Sequence, residues 1–382
     1  MKLNSNIKTA IRVAKIELNS MFYSPVAWLV LVIFGFQIGM SFAQIYGEQL
    51  RYQDMGYDLW SVTSGVYTGM RGILPPIQRY IYLYIPLITM GLMSREYQSG
   101  SIKLLYSSPV KNTSIIIGKF LSMMVYGGAL IAVLGVFVIF SAITIVNFDY
   151  PLVLSGMLGL YLLILAYSAI GLFMSSITKY QVVAAIGTLA VLAVLNFIGD
   201  VGQDYDLVRH ITYWLSITGR AYPFIDGLIA SDNIFYFLIV IGFFLALSIL
   251  KLNTEKTITP LKIKVLKYCV IVFVVLILGY VSSTPYTKYY YDATYTKSNT
   301  LAKESQDVIK NLDGDLTITT YVNLLDEDLY NGLPRNRNND FKRFEKYYRF
   351  KPDIEMKSNS ISKLEISSFK GTFTYDQVND HI

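Results

Sequence analysis

The chain has 382 residues, of which 53% are apolar and only 16% charged, with a mean hydropathy of +0.42. A soluble domain carries about 25% charge, so the composition excludes an ordinary soluble globule and points to a membrane protein. The net charge of +6 is unevenly placed, with 19 Lys and Arg against 12 Asp and Glu up to Ser282 and 14 against 15 beyond it. A membrane part followed by a nearly neutral soluble segment fits that division. A nucleic-acid partner does not, because it needs basic residues clustered on one soluble surface.

Cys269 is the single cysteine, and His210 and His381 are the only histidines. An intrachain disulfide is impossible and no His/Cys metal cluster can be assembled. Gly118-Lys119 lacks the upstream glycine and the following Ser or Thr of a phosphate-binding loop. No nucleotide site, metal or other cofactor is therefore expected, and the chain reads as no enzyme by itself.

In chain order, Asn6 to Met21 comes first, with Ile7, Ala10, Ile11, Ala14 and Leu18 at helical spacing and Lys8, Arg12 and Lys15 on other faces. It is too charged to span and reads as an interfacial amphipathic helix; a signal peptide would have a continuous apolar core. Apolar runs of about 20 residues, the length that crosses roughly 30 Å of hydrocarbon, then occur over 25–43, 75–94, 115–146, 152–175, 181–199, 234–250 and 265–282. Seven spans are expected.

Between the second and third runs lies the polar insert Arg95 to Val110. Such a segment has to sit at an aqueous surface, because unsatisfied polar groups are costly in hydrocarbon. Arg95 and Glu96 read as a charge pair ending the second run, Gly100 as a tight turn into Ile102, Leu104 and Leu105, and Ser108-Pro109 as the exit. A short surface helix with apolar knobs suits a partner's groove; an ordinary loop keeping the spans in register is the alternative.

Orientation follows from positive charge. With the N-terminus inside, 14 Lys and Arg fall in inner segments against Arg51, Arg71, Arg209 and Arg220 outside. The outer loops carry Tyr57, Trp60, Tyr205, Tyr213 and Trp214, which suit the membrane–water boundary. An odd number of spans then puts everything after about Ser283 outside.

Several residues admit two readings. Arg79 suits a snorkelling arginine or a contact for an anionic substrate, and Met123-Met124 helix-face filler or soft-metal ligands, though no Met-x-x-Met series accompanies them. Asn196 suits interhelical hydrogen bonding or a substrate contact. Asp200, Asp204 and Asp206 suit a solvated loop or a divalent ion, and the tyrosines at 289–291 and 295 a domain boundary or a glycan or lipid grip.

The amphipathic helix, span, outer loop, span and then Glu96-x-x-x-Gly100-Ser101-x-x-x-Leu105-x-Ser107-Ser108-Pro109 resemble the type-2 ABC transporter permeases over roughly residues 5–250. The resemblance implies an all-α polytopic membrane domain, six spans being usual and the seventh an addition. It also implies that Glu96, Gly100, Leu104, Leu105 and Pro109 form the coupling contact for a separate ABC ATPase subunit. Leu215 to Ile229 is similar to the outer re-entrant segment of the branch related to gliding-motility and copper-processing permeases.

In the tail, Asn299 to Leu312 is helical in pattern, a turn follows at Asp313-Gly314, Leu316 to Val322 alternates as a strand, Phe341 to Phe350 reads as a helix and Asp353 to Met356 as a strand. That order is similar to the extracytoplasmic auxiliary domain of gliding-motility-type ABC systems, an α/β fold with a parallel sheet. The family domain is normally longer, so residues 283–382 are expected to be an incomplete α/β segment.

The expected organisation is thus a permease domain over 1–250, a basic linker and seventh span over 251–282, and the extracytoplasmic segment over 283–382. The resemblance implies a multi-pass subunit of a bacterial cytoplasmic-membrane exporter. It would work in the lipid bilayer with an ATPase subunit and a second permease copy or homologous permease. The alternative is an ATP-driven mechanotransmission or assembly component acting on extracytoplasmic protein partners. An ion-coupled secondary transporter fits poorly, because the runs hold almost no acidic residues.

Overall fold

The computed structural model describes residues 2–57, 61–69, 71–202, 205–256, 260–284, 287–312, 316–323, 344–347, 349–351, 354–363 and 370–374. Trp60, Asp204, the turn at Asp313-Gly314 and His381 lie outside them, as do the side chains of Asp200, Asp206 and His210. The chain forms two compact units, Met1–Asn196 with Ile217–Tyr295, and Phe197–Ser216 with Thr296–Ile382.

The first unit is a helical bundle built from α1 (Lys2–Phe22), α2 (Pro25–Asp54), α3 (Val62–Tyr67), α4 (Leu74–Thr89), α5 (Gly91–Ser99), α6 (Ile102–Ser107), α7 (Asn112–Thr144), α8 (Tyr150–Ile177) and α9 (Gln181–Phe197). After α10 (Asp206–Leu215) of the second unit, it continues with α11 (Ile217–Ile225), β1 (Leu228–Ala230), α12 (Ser231–Lys256), α13 (Leu261–Ser282) and β2 (Tyr290–Asp292). Among the described residues α2, α7, α8, α12 and α13 are long and apolar enough to cross a membrane. The other two predicted runs are helical but differently shaped. Residues 75–94 are divided between α4 and α5 at Met90, and 181–197 form a 17-residue apolar helix.

The division of α4 from α5 has a local cause. Pro86 sits inside α4 without an N–H to donate. Two turns on, the N–H groups of Met93 and Ser94 turn to the Ser175 hydroxyl of α8 at 2.9 and 3.0 Å, and that hydroxyl donates to Met90 O at 2.9 Å. A buried serine thus satisfies backbone that a regular helix would pair internally.

Helix α8 is the axis of this unit: 72% of its most apolar stretch is buried, against 33% in α2, α7 and α12. It packs against α4, α7, α11 and α12. Only Gly279 of α13 is buried, so that helix presents nearly its whole surface outward. Asn196 joins three helices. Its Oδ1 accepts from the Tyr167 hydroxyl of α8 at 2.8 Å and from the Thr218 hydroxyl of α11, and its amide donates to Leu192 O at 2.8 Å.

Within Leu215 to Ile229, α11 buries Ile217, Ala221, Phe224 and Ile225, and the chain then turns into β1. That strand pairs antiparallel with β2, Ile229 opposite Tyr291. The tyrosine-rich stretch after α13 is therefore fixed to this unit. The Tyr295 N–H also donates to Asp149 Oδ2 at 2.8 Å, while Asp149 Oδ1 caps α8 through Leu152 N at 3.2 Å.

The second unit contains the 3-10 turn Ile198–Asp200, α10, α14 (Lys303–Lys310), β3 (Thr317–Asn323), β4 (Glu355–Lys363) and β5 (Lys370–Thr374). Strands β3 and β4 run parallel and β5 adds antiparallel to β4, so the sheet is mixed where the resemblance implies a parallel one. Phe344 to Tyr347 are helical, and beside them Arg349 donates to Asn299 O at 2.8 Å and Lys351 to Leu312 O at 2.7 Å.

Candidate functional site

The polar insert builds a compact element at one end of the first unit. Gly100 ends α5 in the left-handed region at φ 76°, which glycine adopts without a steric penalty. The chain reverses into α6, and Ser108 is extended at ψ 147°, as a residue before proline prefers. Helix α6 has two faces. Ile102 is buried and Leu105 and Tyr106 pack against the core, whereas Lys103, Leu104 and Ser107 point out, with Leu104 74% exposed. Pro109 is exposed as well.

Of the five residues expected to form the contact, Leu104 and Pro109 are at the surface, Leu105 supports α6 from below, and Gly100 shapes the turn. Glu96 faces inward. Its Oε1 lies 2.7 Å from the Lys119 ammonium of α7, and the same ammonium meets Glu17 Oε2 of α1 at 2.6 Å. Arg95 and Glu96 do not pair with each other. Arg95 reaches α1, at 3.3 Å from Glu17 Oε1 and 2.6 Å from the Ser20 hydroxyl.

Two cations and two carboxylates thus tie α1, α5 and α7 together, and Lys119 is only 2% exposed. Burial raises the Glu96 carboxyl above its ordinary range, and the adjacent Lys119 charge opposes the rise. Glu96 Oε2 is buried with no hydrogen-bond partner among the described residues. The close approach of α1 that this cluster needs is made at Gly118, where an added Cβ would lie 2.7 Å from Ala10 O and from Val13 Cβ.

A second cluster grips the insert from α12. The hydroxyls of Tyr97 and Tyr106 both donate to Glu255 Oε2, at 2.6 and 2.8 Å, while Lys251 holds Glu255 Oε1 at 2.8 Å. Burial pushes the Tyr106 phenol up to about 12 and the Tyr97 phenol higher still, so both remain donors at neutral pH. Asn112 at the start of α7 adds a 2.8 Å bond to Asn253. The short helices α5 and α6 are thus held together from two sides, by α1 and α7 and by α12. Among the described residues no group of acidic, His and Cys side chains could hold a metal ion.

The sequence profile of the family described as "ABC-2 family transporter protein" matches residues 11–203, half of the chain. The chain belongs to the ABC-2 transporter family. It is a multi-pass membrane protein and a membrane permease component of an ABC transporter, a class that associates with an ABC ATPase. The matched range takes in α1 from Arg12's neighbour Ile11, the insert and both clusters' partners on α5 to α7, and it stops before Leu215–Ile229 and the tail. No curated protein and no solved structure matches the chain.

Proposed function

We propose that this permease subunit couples ATP hydrolysis on a separate ATPase subunit to export across a bacterial cytoplasmic membrane, with α6 as the docking helix. The observation that carries the reading is Leu104, a leucine left 74% exposed on a helix whose other face packs on the core and whose Tyr106 hydroxyl donates to Glu255. In this reading Leu104 and Pro109 touch the ATPase, while Glu96, Gly100 and Leu105 hold the element to which force is applied. A displacement of α6 passes to α12 through Tyr106 and Glu255, and through the Gly100 turn and Glu96 of α5 to Lys119 of α7 and Glu17 of α1.

Two copies, or this chain with a homologous permease, enclose the pathway. The N-terminus and the segments 95–114 and 251–264 are cytoplasmic and 284–382 outside, in line with the 14-to-4 positive-charge asymmetry. Counting α4 with α5 and α9 as crossings gives seven spans, divided as a permease domain to residue 250, linker and last span to 282, and an outer segment beyond. The α11 segment and the mixed α/β unit support placement in the gliding-motility-type branch. A second reading, mechanotransmission to extracytoplasmic partners, is favoured by α13, which packs mainly on α12 and leads directly to the outer segment.

The test is co-purification of the cognate ATPase with Leu104→Asp, Gly100→Val and Glu96→Ala variants, with membrane levels measured in parallel. Burying a leucine side chain contributes roughly 1.5–3 kcal/mol, so Leu104→Asp should weaken recovery by about tenfold or more. Undiminished recovery with all three variants would overturn the docking assignment.

A further inference from the structure

Outside the insert, the first unit carries an open groove of about 520 Å3 between α1, α7 and α8. Ile11 and Ala14 line it from α1, Leu121 to Gly128 along α7, and Tyr161 from α8. Its surface offers almost nothing polar. The Tyr161 hydroxyl, the lining's one side-chain donor, is spent on Met124 O at 3.2 Å. From Leu121 to Gly128 the groove runs about 10 Å along the helix axis at 1.5 Å per residue, within the roughly 15 Å depth of one leaflet's hydrocarbon.

Its mouth is basic. Lys8 and Lys15 lie three residues before and four after Ile11, one helical turn to either side, and Arg12 is next to it. All three are exposed, and none has a carboxylate within ion-pair reach among the described residues. An apolar trough about 10 Å long, flanked on α1 by three exposed cations, matches an amphiphile with an acyl chain and an anionic head.

We infer that this groove is a binding site for an anionic phospholipid of the surrounding bilayer, with one acyl chain along α7 and its phosphate at Lys8, Arg12 and Lys15. The inference rests on membrane residence and is independent of the cargo and of the ATPase contact. A second copy of the chain fits less well, since a two-fold interface would bring two identical sets of three cations together.

Gly128 supplies a clean test, because a Cβ added there meets nothing within 4 Å. Gly128→Leu fills the trough and favours the helix, and an unchanged melting temperature will verify its fold. The full chain is reconstituted in nanodiscs of equal parts phosphatidylcholine and phosphatidylglycerol, released, and its retained lipids are counted by native mass spectrometry.

The wild type should retain phosphatidylglycerol over phosphatidylcholine. Lys8→Gln with Lys15→Gln should lower phosphatidylglycerol retention by roughly fivefold for each lysine, and Gly128→Leu should abolish retention of the tightly held lipid while all three cations remain. Retention unaffected by Gly128→Leu would overturn the proposal in favour of surface charge alone. Conversion of a purified dimer to monomer by Gly128→Leu, with lipid retention unaffected, would overturn it in favour of a second copy.

Discussion

The ammonium of Lys119 lies 2.7 Å from the Glu96 carboxylate, joining the third long apolar run to the polar insert that precedes it. That ammonium also meets Glu17, which shares it with Arg95, so Lys119 is the one cation in contact with both acids. Removing it should therefore cost more than removing either acid. Lys119→Met leaves Glu96 facing an apolar chain and Glu17 with Arg95 alone, and breaking a buried pair typically costs about 3–5 kcal/mol. A loss of about 3 kcal/mol is expected in thermal unfolding of detergent-purified protein. Adding Glu96→Gln should recover most of it, because the one orphaned carboxylate is gone while Glu17 keeps Arg95.

The Glu96 shift has a definite sign in pH. Its folded carboxyl is raised by burial, so the folded state binds its proton more readily than the unfolded chain does. The stability it contributes is then fully present below the ordinary carboxyl range and lost as pH rises through the raised value. Relative to Glu96→Gln, which cannot titrate, the wild type should gain melting temperature as pH is lowered from 7 toward 5. A difference that stays flat across that window would show that Glu96 titrates as an exposed carboxylate does.

Ser175 serves the broken helix rather than the insert itself. Its hydroxyl accepts from two backbone N–H groups and donates to a carbonyl, all next to the α4–α5 junction. Ser175→Ala leaves those N–H groups unpaired in a buried setting, at about 1–3 kcal/mol for each unsatisfied group. A total loss of about 2 kcal/mol or more is expected, with faster hydrogen exchange confined to residues 90–95. Ser168→Ala in the same helix is the comparison, since that hydroxyl only donates back to Ile164 O; its loss should be well under 1 kcal/mol.

What was legible in the sequence, and what was not, divides along physical lines. Hydropathy located the five long apolar helices among the described residues, because crossing a bilayer demands uninterrupted apolar runs, and Gly100 and Pro109 marked the insert because turn chemistry is local. The partners of Glu96 were not legible. Lys119 is 23 residues away and Glu17 lies on a third helix, so only packing brings them together. One signal was present: Glu17 falls on the same face of α1 as Ala10 and Ala14, and an acid on an apolar face needs a partner. Ser175 gave none, for a serine in an apolar helix reads the same whether it bonds its own turn or a neighbour's backbone.

Topology is open to a direct measurement. In a Cys269→Ser background, single cysteines at the exposed positions Ser99 and Ser298 should react oppositely with an impermeant thiol reagent applied to intact cells. Labelling of Ser298→Cys and protection of Ser99→Cys until the membrane is opened are expected. The reverse pattern would invert the orientation and place the insert on the outside, away from any ATPase.

Tyr97 and Tyr106 share one acceptor, and that makes their effects interdependent. Both hydroxyls donate to Glu255 Oε2, the first from α5 and the second from α6, so the oxygen holds the two short helices of the insert to α12. A hydrogen bond to a charged group contributes roughly 1.5–3 kcal/mol, but when one phenol is removed the other keeps the carboxylate solvated. Tyr97→Phe and Tyr106→Phe should each lose only about 1 kcal/mol, and the double variant should lose clearly more than their sum. Glu255→Gln should resemble the double variant, because a neutral carbonyl accepts more weakly and Lys251 loses its partner at 2.8 Å. Thermal unfolding of the four proteins gives the cycle directly, and strict additivity would mean that the two phenols act on α5 and α6 separately instead of through one shared anchor.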